Sequence, residues 1–531
     1  MEQNDMSGTI RLHSAADLTL AALEAIAWDG WQVRLAPELL GHVAATRKDM
    51  LAALADGREV YGVTTGMGYL AGVSLSADEQ EVHQANLLRG RAVGGPPYLE
   101  PAEARAVLVV RLAGFLDGAA GGSPELCSFL ADRLNDGFIP AIPSTAVGCA
   151  GEIIPLAHAF GPFIGSGDVL AAGDGRSGAT QDATGALAAR GVAPYRPGAK
   201  EGIALLAGAP AAVALGAARR RAARVLYQQL LVCAACAIDA LRAPLSPYQP
   251  VVARLANDPI MAEVLDRLAE LLGGADQDRS RSEARARPGR NPQGTPRGHE
   301  PAGAGNREPS LVQAPVSLRV IPQVLAHLAR VTDRLEEDLR RGLVAVTDSP
   351  AFVDGQFVSH GGFHAVDLAS DLDYLCIALA QAAELAGQHA HRLLDSRFTG
   401  LPDQLAAAPG LNAGLVVVQK RIVGILNQLR RLATPASIGL ADTSLGQEDA
   451  MTFTFESAEK LRRAEALLRD VIACVLLICR QAWWLGATPV APGLEPYAGA
   501  IEDMIEPVVR DRPLGPDIER VSRFLAAGSW P

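Results

Sequence analysis

Cysteine is scarce: seven residues in 531, at positions 127, 149, 233, 236, 376, 474 and 479, make no disulfide framework. The odd count suits a reducing compartment, so a cytoplasmic location is expected. Positive charge is short as well. The chain carries 48 Lys and Arg against 59 Asp and Glu, a formal net charge of −11, which argues against nucleic-acid and anionic-membrane surfaces and leaves a small molecule or a protein as the expected partner. The opening "MEQNDMSGTIRLHS" lacks the charged start and apolar run of a secretory leader. Long apolar runs are missing too. The most apolar late segment, Val471 to Cys479, is bounded by Arg469 and Arg480 and is too short to span a bilayer, so it predicts a buried helix. No internal repeat is evident.

What the chain has in quantity is alanine and leucine at helical spacing. Stretches such as "RRRAARVLYQQLLVCAACAIDALRA" from Arg219 and "LDYLCIALAQAAELAGQHAHRLLD" from Leu372 predict an essentially all-α protein. They are apolar around most of their circumference, which suits helices central to a large bundle that assembles with copies of itself. The length allows one large or two closely joined domains, with a division expected at 1–205 and 206–531. The segment 273–310, rich in Gly, Pro and Arg, reads as a loop; it has no interleaved aromatic residues to stack on bases.

Several patterns invite a chemical reading. Cys233 and Cys236 in "CAAC" have redox spacing, but they sit in an apolar helical run without a second pair, so buried thiols are the better expectation. His389 and His391 lie two apart, on different helix faces, and no metal site is expected from them. His158 is expected as a packing residue. "TDSP" at Thr347 and "GQED" at Gly446 read as caps and turns. "STAVGCAGEIIPLAHAF" from Ser144 is different, because Gly148 and Gly151 free the backbone for a tight turn just before an apolar helix.

"REVYGVTTGMGYL" at Arg58 resembles the tyrosine-bearing loop of the aromatic amino acid ammonia-lyases, histidine ammonia-lyase in particular. "NLLRGRAVGG", "AKEGIALLAG", "VSLRVIPQV", "VTDSPAF", "GGFHA", "GLPDQL", "PGLNAG" and "TPASIGLADTSLGQED" follow in that family's order. The resemblance implies a mainly α fold of the ammonia-lyase and fumarase-aspartase type with a long central helical bundle, assembled as a homotetramer. In the family an Ala-Ser-Gly triad closes on itself and loses two waters to give 4-methylideneimidazol-5-one. Here the triad position reads Cys149-Ala150-Gly151, and the methyl of Ala150 has no leaving group. The expectation is therefore a chain without that prosthetic group and with no other cofactor. Cys149 stands at the wrong member of the triad to replace the serine and is expected to be packed.

The resemblance further implies that Tyr61 matches the tyrosine that removes the β-proton and that Arg319 matches the arginine that holds the substrate carboxylate. Other matched positions are changed: Arg91 for a histidine, Ala207 for an asparagine, Val316 for a tyrosine, Gln428 for a glutamate and Gly362 for an asparagine, with Phe363 retained. Arg91, Ala150, Ala207, Val316, Phe363 and Gln428 are thus the expected substrate-contacting set. Loss of polar groups at Ala150, Ala207 and Val316 predicts a drier pocket, for a substrate larger or less polar than a free amino acid. Tyr61 and Arg319 could together move a proton next to a carbonyl. On that basis the expected function is a biosynthetic cyclase, isomerase or lyase independent of the ring. The alternatives are a non-catalytic binding member and a conventional ammonia-lyase.

Overall fold

A computed structural model describes residues 8–171, 179–273, 313–487, 489–528 and 530. The expected loop 273–310 lies, apart from Gly273, outside the described residues. The chain is mainly helical, as its alanine and leucine spacing predicts. Its described strands form three two-stranded sheets: Thr9–Leu12 parallel to Gln32–Leu35, Asp168–Leu170 antiparallel to Thr180–Asp182, and Ala351–Val353 antiparallel to Gln356–Val358. It divides into two compact units, the first Met1–Arg220, Arg334–Asp373 and Pro435–Lys460, the second Arg221–Asp333, Tyr374–Thr434 and Leu461–Pro531.

Unit one is built on helices with clear start signals. Pro at the first turn opens Pro101–Leu116 and Pro124–Asn135, and a Ser76/Glu79 capping box opens Ala77–Arg89. Ala77–Arg89 packs closely on Glu201–Leu206. Gly202 permits this approach: a Cβ built there would lie 2.1 Å from the Gln84 carbonyl oxygen. Phe129, Phe138, Phe160 and Phe163 form a ring cluster beside Tyr195. Charges are buried too, and paired: Lys200 Nζ donates to Asp348 Oδ2 at 2.7 Å and to the Ala120 carbonyl at 2.6 Å. Arg220 pairs with Glu336 and Glu24.

Unit two contains the apolar segment that the sequence singles out. Val471 to Cys479 lies within Thr454–Gly486, and each of its residues is at most 1% exposed, the buried helix that the sequence predicts. Its neighbours satisfy their polar groups locally: Trp483 Nε1 donates to Asp239 Oδ2 at 3.0 Å, and Gln481 exchanges hydrogen bonds with the Val508 backbone. Cys233 and Cys236 are buried, and desolvation pushes the Cys233 thiol up to about 12. One described helical run, Glu201–Ala240, is long and apolar enough to cross a membrane, and its apolar window is wholly buried inside the protein.

Candidate active site in unit one

The Cys149–Glu152 turn departs from ordinary backbone geometry. Gly151 has φ +68° and Glu152 φ +59°, two successive left-handed residues at the entry to helix Ile153–Phe160. Glycine meets the first requirement without strain, and the space is close as well, since a Cβ at Gly151 would lie 3.2 Å from Phe363 Cβ. Glu152 bears the second and is held by its side chain. Its carboxylate accepts from the Ala212 amide at 2.6 Å and the Ala211 amide at 2.7 Å, the open N-terminal donors of helix Pro210–Ala240. Complete burial nevertheless raises its pKa to about 7, against the lowering effect of those amides and of Arg111. Arg111, also fully buried, donates to the Ala207 carbonyl at 2.7 Å, and burial lowers its pKa to about 10. Ala207 is therefore a buried backbone acceptor, 7% exposed.

A second loop supplies an acid. Asp373 accepts from the Ala436 and Ser437 amides, each at 2.8 Å, and from Lys460 Nζ at 2.6 Å, which fixes the start of the "TPASIGLADTSLGQED" segment. The Thr443 amide then closes a turn on the Glu448 carbonyl at 2.8 Å. Glu448 turns its carboxylate toward the triad: Oε2 accepts from the Ala150 amide at 3.3 Å, and Oε1 from Ser444 Oγ at 3.1 Å. "GQED" thus forms the expected turn and also delivers a carboxylate. The sequence signal was present in that motif, but acid or turn is indistinguishable until the fold brings residues 298 apart together.

The tyrosine loop completes the group. The turn Gly68–Leu70 packs on the turn Ser444–Gly446, and the Gly68 amide donates to Tyr61 Oη at 2.8 Å. Burial raises the Tyr61 pKa; the Gly68 hydrogen bond and the positive charge of Arg91 oppose that rise, and the negative charge of Glu448 adds to it. Arg91 follows helix Ala77–Arg89, and its own pKa is lowered by burial. Burial, with a smaller contribution from the same guanidinium, lowers the pKa of His83. Unit one therefore brings together Tyr61, Arg91, Cys149, Ala150, Gly151 and Phe363 of the expected set, with Glu448 and His83 in addition. The surroundings of Tyr61 are charged, which corrects the expectation of a drier pocket: Ala150 and Ala207 removed polar side chains, but Glu448 and Arg91 stand beside the phenol. A cavity of about 220 Å³ lies at Thr145–Gly148 and Phe453, on the approach to the triad turn.

Arg319, Val316 and Gln428 belong to unit two. Arg319 Nε donates to the Ala314 carbonyl at 3.0 Å, Val316 is 60% exposed, and Gln428 stands on the exposed face of helix Val416–Leu432. His158 accepts from the Gly94 amide at 3.0 Å, and His389 meets the Ser317 carbonyl at 2.9 Å. Burial pushes the Cys149 thiol up to about 11, away from the reactive thiolate form.

The group that the family builds at this turn does not fit the residues present. Ala150 offers a methyl where a dehydrated side chain is needed, and its amide is engaged with Glu448.

The fold and this constellation define a lyase-family protein, and the comparisons agree. Residues 18–504 match the family Aromatic amino acid lyase, and the chain belongs to it. It is 31% identical over 517 residues to histidine ammonia-lyase of Symbiobacterium thermophilum, covering 97% of this chain and 96% of that one. Among solved structures, tyrosine aminomutase from Streptomyces globisporus aligns with a TM-score of 0.86 and 26% identity over 97% of this chain and 96% of that one. Histidine ammonia-lyase from Trypanosoma cruzi aligns with a TM-score of 0.83 and 25% identity over 98% and 94%. These findings overturn the expected ring-independent cyclase or isomerase acting next to a carbonyl: the sequence relatives at about 30% identity over nearly the whole chain are named histidine ammonia-lyase. The substitutions at Ala150 and Ala207 change single side chains, whereas the likeness extends over nearly the whole chain.

Proposed function

We propose that this chain is an amine-eliminating lyase acting on an aromatic or imidazole-bearing α-amino acid. The observation that carries this reading is the end-to-end likeness to histidine ammonia-lyase, joined to a loop that holds a tyrosine hydroxyl beside a carboxylate and a guanidinium. In this reaction class a proton leaves the β-carbon and the amine leaves the α-carbon. Tyr61 Oη is the proton-handling atom in this proposal, and the Gly68 amide stabilises the phenolate once it forms. Glu448 orders the Ala150 amide and sets the charge around the phenol.

Incubation with a panel of aromatic and imidazole amino acids, with release of amine and formation of the conjugated acid followed together, tests the proposal. At least one substrate should yield both in equal amounts. Absence of amine from every member of the panel overturns it. One observation favours a second reading, a binding member without turnover: Ala150 cannot supply the dehydrated side chain. Saturable binding without any amine release is its signature.

The homotetramer implied by the resemblance is part of the same proposal. It is supported by exposed apolar side chains in unit one, among them Leu70, Val73, Ile438, Leu440 and Leu445. Light scattering that gave a monomer at working concentration would remove it. The reducing, cytoplasmic setting is likewise proposed, supported by seven cysteines that are all free.

A further inference from the structure

Arg91 is the one cation beside Tyr61 whose side chain meets no hydrogen-bond acceptor and no carboxylate within ion-pairing distance among the described residues. It is half-buried, at the end of helix Ala77–Arg89. Its neighbours are otherwise engaged: Glu448 is bonded to the Ala150 amide and Ser444, and Tyr61 accepts from Gly68. Partial burial lowers the Arg91 pKa, and Tyr61 and Glu448 oppose that fall electrostatically without bonding to the guanidinium. His83 extends the same feature, since its Nε2 is buried and unpartnered, and Arg91 acts on it electrostatically. Arg91 thus stands beside Tyr61 with donor capacity unused, and His83 stands beside Arg91 with one ring nitrogen unbonded. Arginine is also suited to a specific ligand shape, because its planar fork matches a carboxylate or another planar or tetrahedral oxyanion through two parallel hydrogen bonds.

We infer that Arg91 is a specificity-determining residue, and that the substrate of this chain is an aromatic or imidazole amino acid bearing a second anionic group, received by the Arg91 guanidinium. This rests on the lyase reading for the amino acid part of the ligand; the anion preference rests on Arg91 itself. A second anion neutralises the unpaired guanidinium and places a ligand oxyanion where the site offers donors. A neutral ring forgoes that charge-assisted pair and is the weaker ligand.

The test compares three probes on the full chain by calorimetry: 4-carboxy-L-phenylalanine, its neutral isostere 4-carbamoyl-L-phenylalanine, and L-phenylalanine. Amine release is followed separately. The native chain should bind the carboxylate probe at least about ten-fold more tightly than the carbamoyl probe, the discrimination expected of a charge-assisted pair. Arg91→Gln should bring the two within about two-fold of each other by weakening only the carboxylate probe, and Arg91→Lys should restore part of the preference because it keeps the charge and loses the fork. Equal binding of the carboxylate and carbamoyl probes by the native chain, or an unchanged preference in Arg91→Gln, overturns the inference. An Arg91-dependent preference without amine release sustains the inference and removes the lyase reading. Amine release from L-phenylalanine at the same rate in the native chain and in Arg91→Gln, without any anion preference, does the reverse. Circular dichroism of each variant separates a folding defect from a loss of recognition.

Discussion

The two units bury different things. Unit two fills the helix Val471 to Cys479 with side chains at most 1% exposed, and the polar groups nearby are answered by neighbouring carbonyls or by one carboxylate, as Trp483 is by Asp239. Unit one buries Lys200, Glu201, Arg111 and Glu152, each 8% exposed or less, and it carries two successive left-handed residues at Gly151 and Glu152. Desolvating those charges and holding that turn both cost free energy that an apolar core avoids. Unit two also has a left-handed pair, at Gln404 and Leu405, and also buries a charged side chain, Asp517, so what sets unit one apart is that both features fall on one residue, Glu152, in the turn that meets Glu448.

The largest effect that would sharpen the contrast is on chemistry alone. Tyr61→Phe removes one hydroxyl, keeps the ring and takes from the half-exposed Gly68 amide its acceptor. Turnover of whichever amino acid the chain accepts should fall by about two to four orders of magnitude, the usual contribution of a positioned acid or base, with the thermal midpoint little changed. Turnover at the native rate would show that the phenol does not handle the proton, and the contrast between a reactive and a structural unit would lose its centre.

The reverse pattern is expected in unit two. Leu476 is wholly buried, so Leu476→Ala should lower stability by about 2–5 kcal/mol through lost burial and the cavity left behind, while the folded fraction retains its turnover. Denaturant unfolding read beside activity per folded molecule checks both halves. A large loss of specific activity would show that the apolar core shapes the site directly.

Legibility in the sequence followed the same line. The helical core could be read from alanine and leucine spacing, because burial on most of a helix circumference leaves a composition signal, and Val471 to Cys479 carried it plainly. Tyr61 and the triad turn were legible through ordered motifs. Glu448 was not, since an acid in "GQED" looks like any turn residue until Asp373 anchors the segment 435–450 and swings it to Ala150. Arg91 was visible as a departure from the family pattern, but that its side chain bonds to no acceptor among the described residues is a property of three-dimensional packing. The reaction class was missed for a related reason: substitutions at Ala150, Ala207 and Val316 say what a site has lost, while the 31% identity spread over the whole chain reports what has been kept.

Glu152 gives an intermediate effect with a sign that can be worked out. Its pKa is raised by burial from 4.5 to about 7 in the folded chain, so between these values the native state binds more protons than the unfolded state. The stabilisation is fully present below about pH 4.5 and is lost as the pH rises through about 7. Unfolding measured across that window should show stability falling with rising pH, and Glu152→Gln should flatten the slope. The amide also turns one acceptor into a donor facing Ala211 or Ala212, at a cost of about 1–3 kcal/mol. An unchanged slope in the variant would place the titration elsewhere and weaken the account of unit one as a region of strained, buried charge.

The smallest effect is expected where the sequence looks most suggestive. Cys149 replaces the first member of the triad, and a thiol beside a reactive turn invites a nucleophilic role. Burial pushes that thiol up to about 11, so at neutral pH almost none is thiolate, and the thiolate is the reacting form. Its surroundings include the amides of Ile153 and Ile154, which a hydroxyl can also accept from. Cys149→Ser should therefore change stability by no more than about 1 kcal/mol and leave turnover at the native level. It should not create the dehydrated ring either, because the serine would stand one position before Ala150, whose methyl still has nothing to lose. Intact mass spectrometry of both proteins checks this: each should equal its encoded mass. A deficit of two waters in the native chain would show that a ring forms by a route this turn does not suggest, and a deficit in Cys149→Ser alone would show that the register of the triad is shifted by one residue.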